Sequence, residues 1–318
     1  MIVNRFSVQE LLDAKVWDYG YKPTEVANNL NNLKRGKPVT RQHINYWRKN
    51  PENFNIPKQL VSTEFRGKIA VIADTQCKPG ESLEYLRWIG AYIHDKRPDV
   101  IVHIGDHWDF PSLSSYDKGK RSFEGRRLLD DLNAGRAGLE ILTQELLKDP
   151  KYNPRLVFCM GNHEARIDRF AEENPELFGF LGTEHLPLEE LGWEVHKFLD
   201  PVNIGGINFV HFLANEMTGK ALGGSALNQL QKKGASYVVG HAQKLDIVVR
   251  YILGGKMQIG VVNGACYPFD EKYKGPQGNH HFRGITMLHE VHDGGALPMP
   301  VSLEYMKQRY WRKSNARV

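Results

Sequence analysis

The 318-residue sequence is long for one compact domain, and its 41% hydrophobic and 25% charged residues are ordinary for a globular protein. No apolar run reaches bilayer-spanning length, which excludes a helical membrane protein. Three scattered cysteines (Cys77, Cys159, Cys266) exclude a disulfide frame and imply a reduced, cytoplasmic chain. The net charge of +5 is uneven: residues 1–60 hold ten Lys/Arg against five Asp/Glu, residues 303–318 five against one, and the stretch between them 27 against 31. An acidic body suits a metal site, and basic ends suit a polyanion.

Residues 1–6 lack the basic-then-apolar opening of a secretory signal. The first fifty residues read as three short helices. Ser7 with Glu10 has the spacing of a capping box, a second helix starts after Thr24 and buries Val26, Ala27 and Leu30, and a third starts at Thr40 with Ile44 and Trp47 on one face. Residues 51–66, with Pro51 and Pro57, read as a linker. From Lys68 the pattern alternates β and α: apolar runs at 69–73, 100–104 and 155–160 are buried strands, with helices through Leu86, Ile89 and Ile93 and through Leu128 to Leu146. Strands then dominate, at 207–212, 237–240, 247–253, 258–262 and 285–289. The order predicts an α/β (α+β) domain over 67–302, two sheets face to face with helices outside, preceded by a small all-α domain over 1–50.

Polar clusters close five of these strands: Asp74-Thr75-Gln76, Gly105-Asp106-His107-Trp108-Asp109, Gly161-Asn162-His163-Glu164, His211, and Gly240-His241-Ala242-Gln243. The carboxyl edge of such sheets is where α/β proteins commonly place their chemistry. One strand-end aspartate is an ordinary turn residue; five clusters in succession exceed what folding requires.

In order and spacing these clusters resemble the calcineurin-like metallophosphoesterase superfamily, whose pattern runs Asp-x-His, Gly-Asp-x-x-Asp, Gly-Asn-His-Glu/Asp, His, Gly-His-x-His. The resemblance spans about residues 68–300. It implies a two-sheet β-sandwich flanked by helices and a hydrolase with two divalent ions, Mn²⁺ foremost with Mg²⁺, Fe²⁺ or Zn²⁺ as alternatives. By position, Asp106 bridges the ions, Asp74, Gln76 and Gln243 complete the first, and Asn162, His211 and His241 complete the second. His163 is then the general acid or a transition-state stabiliser, with Asp109 holding its imidazole. Paired ions about 3.5–4 Å apart clamp the attacking and departing oxygens. Two departures fall at the first ion: Gln76 and Gln243 stand where the family has histidine. An oxygen-only set favours hard ions such as Mg²⁺ and Mn²⁺, or the first site is lost.

Substrate-choosing residues are fewer. Arg166, close behind Glu164, and Arg121, in the basic loop 118–127, are candidate phosphate contacts, with a merely solvated loop as the alternative. The first three helices resemble a helix-turn-helix, with Arg41, Gln42, Asn45 and Arg48 as candidate DNA contacts; Arg41, Asn45 and Arg48 fall on one helical stripe. A helical module for protein contacts is the alternative. Residues 303–318 interleave aromatic and basic residues and read as a nucleic-acid-binding or solvated tail. The reading is a metal-dependent nuclease or phosphodiesterase acting on DNA, similar to phage-encoded metallophosphoesterases, in the host cytoplasm, with no membrane partner. A phosphomonoesterase is the alternative.

Overall fold

Apolar runs of four or five residues, such as Ile69 to Ala73, can only be strands buried on both faces, and they organise the molecule. The computed structural model describes residues 8–16, 21–32, 39–49, 65–271 and 274–315. By internal contacts the chain divides into two compact units, Met1–Val61 and Ser62–Val318.

In the first unit, α1 (Val8–Asp13), α2 (Pro23–Asn32) and α3 (Arg41–Lys49) share a core of Leu11, Val26, Leu30, Ile44 and Trp47. Proline suits the start of α2 because its missing N–H has no helical partner there. Ser7 of the expected capping box and most of the expected linker lie outside the described residues. Arg41, Gln42 and Asn45 are exposed. Arg48 corrects the expected stripe: it is buried, and its guanidinium donates to Val16 O at 2.8 Å and Tyr21 O at 3.1 Å. Those carbonyls lie outside any helix, and a long side chain reaching back supplies the donors they lack.

The second unit holds two sheets. In the first, β1 (Gly67–Ile72), β2 (Val100–His103), β3 (Arg155–Cys159) and β4 (Glu194–His196) run parallel, and β10 (Gly284–His292) and β11 (Gly295–Ser302) extend it antiparallel in the order β11-β10-β1-β2-β3-β4. The second has the order β5-β6-β7-β9-β8, from β5 (Val202–Ile204), β6 (Ile207–Phe209), β7 (Tyr237–Val239), β8 (Asp246–Tyr251) and β9 (Met257–Val262). Ile69, Val71, Val102 and Val157 meet Ile204, Phe209, Val238 and Val261 between the sheets. The alternate residues Ala70, Ile72, Ile101 and Phe158 face the other way, against α4 (Glu84–Lys96) and α5 (Leu128–Leu146). Outside the second sheet, α7 (Ala226–Lys233) buries Ala226 and Leu230 against Tyr237 and Val239. Two shorter helices, α6 (Ala165–Glu173) and α8 (Gly275–Gly278), sit in connections.

The chain from Leu303 is not a free tail but a helix, α9 (Leu303–Asn315), running beside α4. Met306 and Tyr310 are buried in the main core, the Tyr310 hydroxyl donates to Asp95 at 2.8 Å, and Trp311 lies 5.4 Å from Trp88 between ring centres. Tyr310 is therefore a packing residue, while Tyr305 and Trp311 stay partly exposed beside the aromatic residues of α4. No helix among the described residues is long and apolar enough to cross a membrane.

Candidate metal centre

The strands β1, β2 and β3 of one sheet and β6 and β7 of the other all end at one place, and the five polar clusters begin there. The turns are tight. Asp74, Gln76, Asp106, His241 and Gln243 all adopt left-handed backbone, with φ between 48° and 61°. This region is uncommon for residues other than glycine and costs on the order of 1–3 kcal/mol each. The turns are also tied to one another: Asp74 N–H donates to Gly105 O at 3.1 Å and Gln76 N–H to Asp106 O at 3.0 Å. Glycine is required at 161, where a Cβ would stand 2.2 Å from Asp106 Oδ1.

Glu164 is the fastener. Fully buried, its Oε2 accepts from the N–H groups of Asp106 at 2.9 Å and Gly161 at 2.7 Å, and its Oε1 from His107 at 2.7 Å and Trp108 at 3.0 Å. Four backbone donors on one carboxylate lock the second cluster to the third. Behind them, Thr75 Oγ1 sits 3.1 Å from His103 Nε2 and 2.8 Å from His107 Nδ1. Burial lowers both imidazoles, His107 to about 4, so this layer is neutral.

Asp106, His211 and His241 bring one ligand atom each to within 4.8 Å of one another, in a group able to hold a metal ion. His211 Nδ1 lies 2.7 Å from Ile104 O, which fixes the proton there and turns Nε2 inward. Nε2 lies 2.9 Å from Asn162 Oδ1 and 3.3 Å from Asp106 Oδ2. Burial opposes charge on Asp106, yet His163 and His211 outweigh it and hold its carboxyl well below the usual range. Burial, with His211 nearby, pushes His241 down to about 4, leaving its ring neutral with a lone pair to give. A carboxylate, two imidazoles and an amide oxygen form a donor set that fits a divalent transition ion.

The other half differs. Asp74 Oδ2 accepts from His241 N–H at 3.0 Å, but its Oδ1 and both amide atoms of Gln76 are buried with no hydrogen-bond partner among the described residues. Burial, then the Asp106 charge, raises the Asp74 carboxyl to about 7. Gln243 Oε1 is already engaged, accepting from the Lys274 ammonium and from Tyr267 Oη at 2.8 Å. Of the four donors expected for a first ion, Gln243 Oε1 is thus engaged elsewhere, with the Lys274 ammonium beside it.

His163 Nδ1 lies 2.8 Å from Asp109 O and 3.2 Å from its carboxylate, while Nε2 lies 3.7 Å from Asp106 Oδ2. Burial lowers the ring's basicity, but Asp106 and Asp109 outweigh it and raise His163 above the ordinary histidine value. Arg166 is at the centre but faces inward: it donates to Asp109 O at 2.8 Å and Phe110 O at 3.2 Å, and its Nη2 lies 2.9 Å from His163 Nε2. Three of its five N–H donors are thus engaged within the protein. Arg121 is exposed in a 3-10 turn of the loop, where Asp117 pairs with Arg126 at 2.8 Å and Lys120 at 3.3 Å. Instead, Lys244, Lys274 and His281 join Asp106, His163, His241 and Gln243 in lining a cleft of about 410 Å³.

The family model for calcineurin-like phosphoesterases matches residues 67–243, from β1 through the last cluster. The chain belongs to the calcineurin-like phosphoesterase family. Its relatives include the Gene 54 protein of Mycobacterium phage L5, 28% identical over 186 residues, covering 57% of this chain and 70% of the relative. The Gene 54 protein of Mycobacterium phage D29 is 26% identical over 195 residues, with the same coverage. Within this phosphoesterase, sequence reasoning missed Lys274, Lys244 and His281, which lie outside the strand-end clusters or beyond their last residue. The only signal was Lys274's position in the connection between β9 and β10.

Proposed function

We propose that this phosphoesterase is a metal-dependent phosphodiesterase acting on DNA, with α1 to α3 providing attachment. One observation carries the reading: His163 is seated between Asp109 and Asp106 in a cleft that also presents Lys244, Lys274 and His281. An ion at Asp106, Asn162, His211 and His241 would supply Lewis acidity to a phosphoryl oxygen. Asp109 holds the His163 ring, and His163 Nε2 gives its proton to the departing alkoxide. Arg166 can donate to Nε2 only while the ring is neutral, so that contact and the proton exclude each other. The basic cleft attracts an anionic backbone, and exposed Arg41, Gln42 and Asn45 offer side chains suited to base edges. Both relatives are phage proteins, which supports a viral or mobile-element setting and action in a host cytoplasm.

The test incubates the full chain and Mn²⁺ with supercoiled plasmid, single-stranded DNA and aryl phosphate mono- and diesters. Plasmid nicking and diester turnover are expected; monoester turnover alone makes the protein a phosphomonoesterase. Arg41→Ala or Asn45→Ala should weaken binding to a preferred duplex by about 1–3 kcal/mol and leave aryl diester turnover intact. Unchanged duplex binding in both would remove α3 as the DNA reader.

A further inference from the structure

In this chain both histidines that the family places at the first ion are glutamines, Gln76 and Gln243. An amide oxygen is a weaker ligand for a transition ion than an imidazole. Gln243 is not even free to act as one. A carbonyl oxygen has two lone pairs, and Gln243 Oε1 already accepts from Tyr267 Oη at 2.8 Å and from the Lys274 ammonium. Lys274 Nζ also donates to Tyr267 Oη at 2.9 Å, which closes a three-membered ring of hydrogen bonds and fixes the ammonium in place. Lys274 lines the same cleft as Asp106, His163 and His241. The glutamine thus holds a single positive charge on the wall of the cleft that Asp106 and His241 also line.

We infer that this centre holds one tightly bound divalent ion, at Asp106, His211 and His241, and that Lys274, anchored by Gln243 and Tyr267, takes the place of the first ion. A second divalent ion would be repelled by the ammonium and would find Gln243 occupied. The substitution is chemically sensible. An ammonium neutralises a phosphoryl oxygen as a point charge with three donors and needs no ligand cage. Asp74 Oδ1 and the Gln76 amide remain open on that side. Removing the charge of Lys274 therefore leaves oxygens able to take a second, weaker ion. The contact of Lys274 with substrate rests on the hydrolase reading above; the ion count does not.

The experiment titrates Mn²⁺ into the apo full-length protein by calorimetry and counts bound ions by elemental analysis after desalting. Wild type should bind one equivalent tightly. Lys274→Arg should also bind one. Lys274→Met should keep that equivalent, which shows the variant is folded, and gain a second, weaker one. Two tight equivalents in the wild type, or no second equivalent in Lys274→Met, would overturn the inference. With an aryl diester at saturating Mn²⁺, Lys274→Met should raise KM by on the order of ten-fold, and Lys274→Arg should restore most of it. An unchanged KM would sink the contact with substrate. A chain that turns over no diester would sink the phosphodiesterase reading alone, since the ion counts are measured without substrate.

Discussion

The two halves of the centre are built on the same scaffold and filled differently. Both place their side chains at strand ends, and both use left-handed turns, at Asp106 and His241 on one side and at Asp74, Gln76 and Gln243 on the other. On the histidine side every group is pinned toward a common point: His211 by Ile104 O, Asp106 by its neighbours' charge, His241 by burial in its neutral form. On the glutamine side the Gln76 amide has no hydrogen-bond partner among the described residues, and the Gln243 amide is turned to a lysine. The backbone therefore sets where ligands stand, while side-chain chemistry alone sets what they hold.

The largest test of that asymmetry is a pair of truncations. His211→Ala should lose the bound ion and slow turnover by about three orders of magnitude or more, since Lewis-acid stabilisation is worth several kcal/mol. Gln76→Ala should keep the ion and lose less than about ten-fold. Equal losses in metal content and rate would make the halves equivalent and break the comparison.

Glu164 fastens the histidine side, because its four N–H partners include that of Asp106. Glu164→Gln turns an NH₂ group toward N–H donors that formerly faced oxygen. Stability should fall by about 1–3 kcal/mol, read by urea unfolding. An unchanged midpoint would mean the clusters hold themselves together without this carboxylate.

Restoring the family's ligands is a subtler test. Gln76→His with Gln243→His should move metal preference toward Zn²⁺, seen as a change in the ion retained from a Mn²⁺/Zn²⁺ mixture. No change would show that side-chain type is not what separates the halves.

The smallest expected signal is no signal. Cys77 and Cys266 back the glutamine side, both fully buried, with burial pushing each thiol up to about 12; burial raises Cys159 as well. Native protein at pH 8 should take up no iodoacetamide, and unfolded protein three equivalents, by mass spectrometry. Rapid native labelling of Cys77 would show that the glutamine side opens.

The strand-end clusters were legible because each is local: an apolar run ends, and the ligands follow within three residues. Two packed sheets were legible for the same reason, since runs such as Val100 to Ile104 can be buried nowhere else. The strand β11 was hidden by Pro298 and Pro300, tolerable because it is an edge strand. Arg48 was misjudged because its long side chain spends donors on carbonyls far away in sequence, and no spacing rule reports that reach. The basic, aromatic C-terminal segment read as a surface for nucleic acid, whereas Met306 and Tyr310 belong to the core under α4. Lys274 was invisible because what places it in the cleft is its bond to Gln243, 31 residues earlier in the chain.

The five left-handed residues leave a legible trace of purpose. Asp74, Gln76, Asp106, His241 and Gln243 hold a conformation in which glycine or asparagine would sit more comfortably. A fold selected only for persistence would relax at these turns. Descendants freed from hydrolysis would therefore drift there first, toward Gly and Asn, and gain thermal stability as they lost turnover. Six other non-glycine residues among those described, Lys15, Arg97, Phe110, Leu199, Glu290 and Asp293, share this backbone region, so the angle marks work only where several such residues converge on one point, as these five do.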